Sequence, residues 1–180
     1  MNFCNNCGHK VSFGTVPNDE RPRFHCTNCE IIHYQNPNVV AGCLPIWQDK
    51  VLLCRRAIEP RKGFWNVPGG YLENGETVED GAMREVWEEA IAKVSILSLH
   101  LVYSIPRLNQ VYVHFLAKLS EPIFDVGEES LEVKLFSESE IPWDEIAFSS
   151  TTKTLEYYFE DRKKGEFTTH LDKFIWEGKK

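Results

Sequence analysis

Positive charge is scarce in this 180-residue sequence: 20 Lys and Arg stand against 27 Asp and Glu, for a formal net charge of −7. Binding a phosphate backbone calls for Lys and Arg clustered on one surface, so no nucleic-acid partner is expected. Long apolar runs are missing too. No stretch approaches the roughly 20 apolar residues of a membrane span, and Met1–Lys10 has neither the charged start nor the apolar segment of a secretion signal. A soluble, cytoplasmic protein with no membrane partner is the expectation. Internal repeats and low-complexity tracts are also absent, which removes solenoids and disordered chains from consideration. What remains is an ordinary globular composition, 42% hydrophobic and 26% charged, long enough at about 150 residues per domain for one core and a small appendage.

Six cysteines raise the question of disulfides, but four of them form two pairs, Cys4-x2-Cys7 and Cys26-x2-Cys29, separated by 18 residues. At that spacing two tight turns present four thiolates tetrahedrally to zinc. With every position filled by sulfur, no water can bind, so this zinc is expected to be structural. A redox dithiol is the alternative. His9, His25 and His33 lie nearby as substitute ligands, more simply read as surface residues. Residues 1–35 have little continuous apolar sequence and need such a staple to fold. The boundary of this module is placed at Asn36-Pro37-Asn38, giving domains 1–37 and 38–180. Cys43 and Cys54 sit in apolar runs and are expected to be buried thiols.

Beyond the boundary the pattern is mixed α/β. Val39–Trp47 and Lys50–Arg55 flank Gln48-Asp49 and predict a hairpin. A loop ends in Pro68-Gly69-Gly70. Thr77 with Asp80 predicts a helix from Val78 to about Ala90, by a capping box with Asp in place of Glu. Leu97–Ser104, Val111–Leu119 and Val133–Phe136 predict further strands. Leu155, Tyr158, Phe159 and Arg162 recur at helical spacing within Thr151–Lys164, stopped by Gly165.

The first helix is the most informative element. Glu85, Glu88 and Glu89 stand at i, i+3 and i+4 and share one face, while Ala82, Val86 and Ala90 occupy another. Adjacent like charges repel unless a cation neutralises them, and hard oxygen ligands suit magnesium or manganese. A solvated acidic face is the alternative.

The run Gly70-x5-Glu76-x7-Arg84-Glu85-Val86-x-Glu88-Glu89 resembles the Nudix box, departing only near its end, where Ile91 stands at the usual glycine and Ala92 at a bulkier hydrophobic position. The resemblance implies an α/β/α sandwich with a mixed sheet, preceded by a zinc ribbon. It implies that Glu85, Glu88, Glu89 and the Gly70 carbonyl bind magnesium or manganese, and that Glu76 pairs with Arg84 to hold the loop on the helix. A further carboxylate from a later loop is implied as metal ligand or base; within Glu128–Phe136, Glu129 aligns best. The activity implied is hydrolysis of a diphosphate bond in a nucleoside diphosphate derivative.

A zinc ribbon before a Nudix domain resembles the NADH pyrophosphatases and a related ADP-ribose and FAD group. The NADH enzymes carry a Ser-Gln-Pro-Trp-Pro-Phe-Pro-type signature after the box, where this chain has Tyr103-Ser-Ile-Pro-Arg107-Leu-Asn-Gln110. Ile141–Ser150 resembles the ADP-ribose or FAD group instead, so ADP-ribose or FAD is the expected substrate, with release of AMP, and NADH the alternative. Arg55, Arg56 and Arg107 are candidates for phosphate or ribose contacts. Tyr103, Tyr112 and Phe148 are candidates for stacking, though an aromatic in an apolar strand is more often core. Trp65 is expected to pack under the site. Relatives are commonly dimeric, so a homodimer is a further implication. Two rival readings are a catalytically silent nucleotide sensor, which would not need every metal carboxylate, and a nucleic-acid-binding ribbon, for which Lys10, Arg21 and Arg23 are too few cations.

Overall fold

Apolar runs such as Val39–Leu44 and Val51–Cys54 need cover on both faces when they form strands, and the fold supplies it. The computed structural model describes residues 1–175 and divides into two units, Met1–Asn36 and Pro37–Lys180. The first unit is a three-stranded antiparallel sheet of β1 (Val11–Gly14), β2 (Arg23–Cys26) and β3 (Ile32–His33). Its fully buried residues are few: Cys4, Val16, Cys26 and His33. A piece this size cannot bury enough apolar surface to fold by that means alone.

The second unit runs β4 (Asn38–Trp47), β5 (Lys50–Arg56), β6 (Trp65–Asn66), β7 (Gly69–Tyr71), α1 (Val78–Ala90), β8 (Val94–Ile105), β9 (Gln110–Leu119), β10 (Ser130–Phe136), α2 (Ser149–Lys164) and β11 (His170–Lys173). The sheet order is β10-β5-β4-β9-β8-β11, with β6 on β5 and β7 on β4. The β4–β9 and β11–β8 pairs are parallel and the rest antiparallel. This is a mixed sheet. Alternate residues on each strand feed two cores. Ala41, Cys43, Leu52, Cys54, Phe115 and Ala117 pack against Ala82, Val86 and Ala90 of α1. Leu44, Val51, Leu53 and Leu116 pack against Leu155, Tyr158 and Phe159 of α2. One helix covers each face, which is the α/β/α sandwich.

The β4–β5 hairpin turns on Gln48-Asp49, with Gln48 at positive φ, and α1 has the predicted limits. Elsewhere the boundaries moved. β8 begins at Val94, because its pairing with β9 continues through two bulges that break the apolar alternation. Strand β10 starts at Ser130, three residues before its apolar run. Helix α2 starts at Ser149 after Phe148, which offers no side-chain cap, so nothing in the sequence marks that end. Three short strands, β6, β7 and β11, had no periodic signal to reveal them.

Candidate active site and cysteine cluster

Helix α1 is nucleated by Thr77, whose hydroxyl oxygen accepts from the Asp80 N–H (3.1 Å) while the hydroxyl donates to the Asp80 carboxylate (2.8 Å). The shorter Asp thus serves the cap side chain. At the other end the helix has no basic residue in its last turn, although Glu85, Glu88 and Glu89 stack there against the negative end of the dipole. Arg84 is the local counter-charge. Its guanidinium grips both oxygens of Glu76 (2.8 and 3.0 Å), donates to Glu85 (2.8 Å) and Glu88 (3.0 Å), and reaches the Tyr71 carbonyl (3.2 Å). Glu76 also accepts from the Glu73 N–H, and these donors, Arg84 first, hold its carboxyl down to about 2. Loop and helix are therefore tied together through one side chain.

Gly70 comes up against the same face. A Cβ there would lie 2.5 Å from the Glu85 carboxylate, so any side chain at this position would have to displace that carboxylate. Glu85 is held above the usual carboxylate range, mainly by burial. Glu89 is 8% exposed and donates nothing as a carboxylate; it accepts one long bond from the Gly69 N–H (3.3 Å). Burial, with the charges of Glu85 and Glu129, pushes it up to about 8. Glu88 alone of the three is open to solvent. Glu89, although on the same helix face, points inward beside Cys54. Three carboxylates converge with less positive charge than they need, the chemistry of a divalent-cation site.

Glu129 is brought to this face by a loop that caps α1. The N–H groups of Asp125 and Gly127 donate to the Ala90 and Glu89 carbonyls (2.9 and 3.1 Å). A side chain at Gly127 would collide with the Glu88 carbonyl oxygen. Beyond it the Glu129 carbonyl accepts from Ala57 N–H (2.8 Å), and the Glu129 charge is felt by both Glu85 and Glu89. Glu132 is turned instead to Arg55 (3.6 Å).

The arginines separate by strand alternation. Arg55 donates to the Gly63 carbonyl (2.8 Å), meets Glu132 and Glu145, and lies over Trp65, a ring in the α2-side core that stacks edge-on with Phe136. Arg56 points the other way: its charge acts on Glu89 and its guanidinium lies 5.1 Å from the Phe148 ring centre. Arg107 is exposed on the short turn Pro106–Leu108. Tyr103 is buried with Leu101 and Ile105 and is core. Tyr112 belongs to a chain the sequence reading missed, in which its hydroxyl donates to Gln110 (3.1 Å) and Gln110 donates to the Tyr71 hydroxyl (2.8 Å). The signal available was that residues 110 and 112 share a face of β9.

In the first unit the four paired cysteines converge, with Cys4 Sγ 3.6 Å from Cys29 Sγ and Cys7 Sγ 3.5 Å from Cys26 Sγ. Those distances are far beyond a disulfide's and close to the edge of about 3.8 Å of a tetrahedron with 2.3 Å metal–sulfur bonds. A backbone hydrogen bond from Ile31 leads the effects that bring Cys29 down to about 6, whereas at Cys7, against a backbone hydrogen bond from His9, burial and the neighbouring cysteines raise the thiol to about 11. His9, His25 and His33 stand outside the cluster; His33 is buried rather than on the surface as expected. Cys43 and Cys54 are buried, and burial pushes Cys43 up to about 12.

The NUDIX domain family model matches residues 36–156, and the Nudix N-terminal zinc-ribbon model matches residues 2–35. The chain is 31% identical over 113 residues to an ADP-ribose pyrophosphatase of Methanocaldococcus jannaschii, covering 61% of this chain and 67% of that protein. It is 33% identical over 106 residues to the NAD-capped RNA hydrolase NudC of Edwardsiella ictaluri, covering 58% of this chain but 38% of that longer protein. The crystal structure of a NUDIX hydrolase from Nitrosomonas europaea superposes with a TM-score of 0.93 at 49% identity, covering 97% of this chain and 99% of that one. The box residues on α1, the sandwich that carries them and the four-thiol module before them agree with these matches: the chain belongs to the Nudix hydrolase family.

Proposed function

We propose that the protein hydrolyses the diphosphate bond of ADP-ribose or FAD and releases AMP. The observation that carries this reading is the convergence of Glu85, Glu88 and Glu89 on one helix face, with Gly70 brought to the same face by strand β7 and Glu129 by a loop. Magnesium or manganese fits that oxygen-rich set and would neutralise charge on the diphosphate as its bridging bond breaks. Arg84 and Glu76 keep the loop on the helix, so that the Gly70 carbonyl and the Glu85 carboxylate stay at one place. Glu129, exposed at the rim, is a metal ligand or the base that takes a proton from the attacking water. Arg56, whose charge acts on Glu89, and Phe148 beside it suit a phosphate and a base; Arg55, engaged with Glu132 and Glu145, and Arg107 are the other candidates for these contacts.

Zinc is the proposed occupant of Cys4, Cys7, Cys26 and Cys29. We also place the protein in the cytoplasm, where those thiols stay reduced. No helix among the described residues is long and apolar enough to cross a membrane. A homodimer is the proposed assembly, supported by exposed apolar side chains such as Leu97 and Leu171; light scattering in solution tests it.

The deciding experiment presents ADP-ribose, FAD and NADH side by side with magnesium or manganese and follows AMP release, with EDTA as control. Efficient, EDTA-sensitive cleavage of ADP-ribose or FAD is expected. Preference for NADH would move the protein toward the dinucleotide group, and no cleavage by folded protein would favour a nucleotide sensor.

A further inference from the structure

Away from the acidic helix, the second unit holds another group of ligating side chains: His100 on β8, Asp161 on α2 and His170 on β11. Their ligand atoms all lie within 4.8 Å of one another. His100 is fully buried, Asp161 nearly so, and His170 partly exposed. Buried polar atoms are normally matched by hydrogen bonds, and here one is left over. His100 Nε2 lies 3.0 Å from the Thr154 carbonyl oxygen. A carbonyl only accepts, so Nε2 carries the proton. In the neutral ring Nδ1 is then a bare lone pair, and it has no hydrogen-bond partner. Protonating it would not help, since a buried donor would then lack an acceptor.

The remaining partners are already oriented. Asp161 Oδ2 accepts from the Thr168 N–H (3.2 Å) and meets His170 Nε2 at 2.8 Å. The His170 ring is stacked on Tyr157 with centres 4.1 Å apart, and the Tyr157 hydroxyl donates to Asp172 (2.9 Å). An imidazole whose far nitrogen donates to a backbone carbonyl is the usual posture of a metal-bound histidine, because that bond fixes tautomer and ring angle.

We propose that His100 Nδ1, the Asp161 carboxylate and His170 Nε2 form a second metal site, taking zinc or a similar divalent transition ion, separate from the diphosphate site. Two imidazoles and one carboxylate favour such an ion over magnesium, which prefers oxygen throughout. Bonds of 2.0–2.1 Å in a tetrahedron put ligand atoms about 3.4 Å apart. The His170–Asp161 contact, at 2.8 Å, must open slightly, and no other separation, all being within 4.8 Å, has to close by more than about 1.4 Å. On binding, the ion replaces the His170–Asp161 hydrogen bond, any proton on His170 Nε2 leaves to solvent, and Nδ1 of His100 gains its missing partner. The ion then fastens α2 and the edge strand β11 to β8.

The test loads the full chain with zinc, dialyses it against magnesium to hold the all-oxygen site, and counts the zinc retained. Two zinc ions per chain are expected in the wild type, one in His170→Asn, and two in Glu88→Gln. One zinc in the wild type, or two in His170→Asn, overturns the proposal. Cobalt gives a second reading on unaltered protein: two cobalt ions are expected, only one with thiolate charge-transfer absorption. Cobalt bound solely with that absorption also overturns the proposal, whatever the folding of the variant.

Discussion

Arg84 shows how much a single side chain can organise. It reaches four acceptor groups, Glu76, Glu85, Glu88 and the Tyr71 carbonyl, and lysine has neither the fork nor the donors to replace it. Arg84→Lys should therefore raise the metal concentration needed for hydrolysis more than it lowers the melting temperature. Glu88→Gln and Glu89→Gln are expected to reduce turnover by about a hundredfold or more, the scale of losing a group that stabilises transition-state charge. The two should differ in stability: Glu88→Gln close to neutral, Glu89→Gln equal to or more stable than wild type without metal, since it removes a buried, poorly bonded carboxyl. Unchanged turnover in both would sink the site assignment. The helical spacing placed the three carboxylates on one face, but not the burial of Glu89, which depends on the loop at Gly127 folding over the end of the helix.

His114 offers a pH test at the same scale. Its Nδ1 lies 2.6 Å from the Thr154 hydroxyl, whose own proton goes to the Ser150 carbonyl, so the ring donates. Burial, helped by nearby His100, brings His114 down to about 4. Between the ordinary histidine value and 4 the unfolded chain takes up a proton that the folded one refuses. Stability from this residue is therefore whole above about 6.5 and declines as pH falls, by about 2 kcal/mol between pH 7 and 5. Urea unfolding at the two pH values should show that loss, and His114→Gln should shrink it.

Among the elements, α1 was the most legible, because a cap residue, an apolar stripe and a charged stripe all coincide in it. Its end is the exception. Ile91 adopts the left-handed conformation (φ 48°, ψ 34°) while its N–H caps the Trp87 carbonyl. A β-branched residue there is strained by about 1–2 kcal/mol, partly offset by glycine's larger unfolded-state entropy. Ile91→Gly is expected to stabilise the protein by roughly 0.5–1 kcal/mol in chemical denaturation. The opposite is expected at Gly127, where alanine must push the loop off the Glu88 carbonyl. Gly127→Ala should cost about 1–3 kcal/mol and lower turnover together with stability, by displacing Glu129. Helix α2 was legible only on its apolar side. Thr151 and Thr154, which bond Asn66 and His114, look like ordinary helix-surface residues in sequence because their partners lie far along the chain.

For the molecule as a whole, the sequence separated a cysteine-rich piece from an α/β piece, since composition changes abruptly near Pro37. Strand order was beyond it, because pairing between distant segments leaves no local trace. In the cysteine-rich piece, Cys4→Ser is expected to lower bound zinc by one ion per chain and to open residues 1–36 to proteolysis, a structural ion being part of the folding energy of so small a unit. Zinc retention with unchanged resistance would show that the cluster is not a metal site.

The parallel pair at the centre of the sheet has a consequence in time. β4 finds its long-range partner β9 only after the box loop, α1 and β8 have been made, some seventy residues later in register from Asn38↔Gln110 to Ile46↔Lys118. Contacts of such sequence separation slow folding. During synthesis, a nascent chain that stops short of Gln110 already carries every box residue yet leaves one edge of β4 unpaired and apolar, so the acidic helix exists before the sheet that supports it can close.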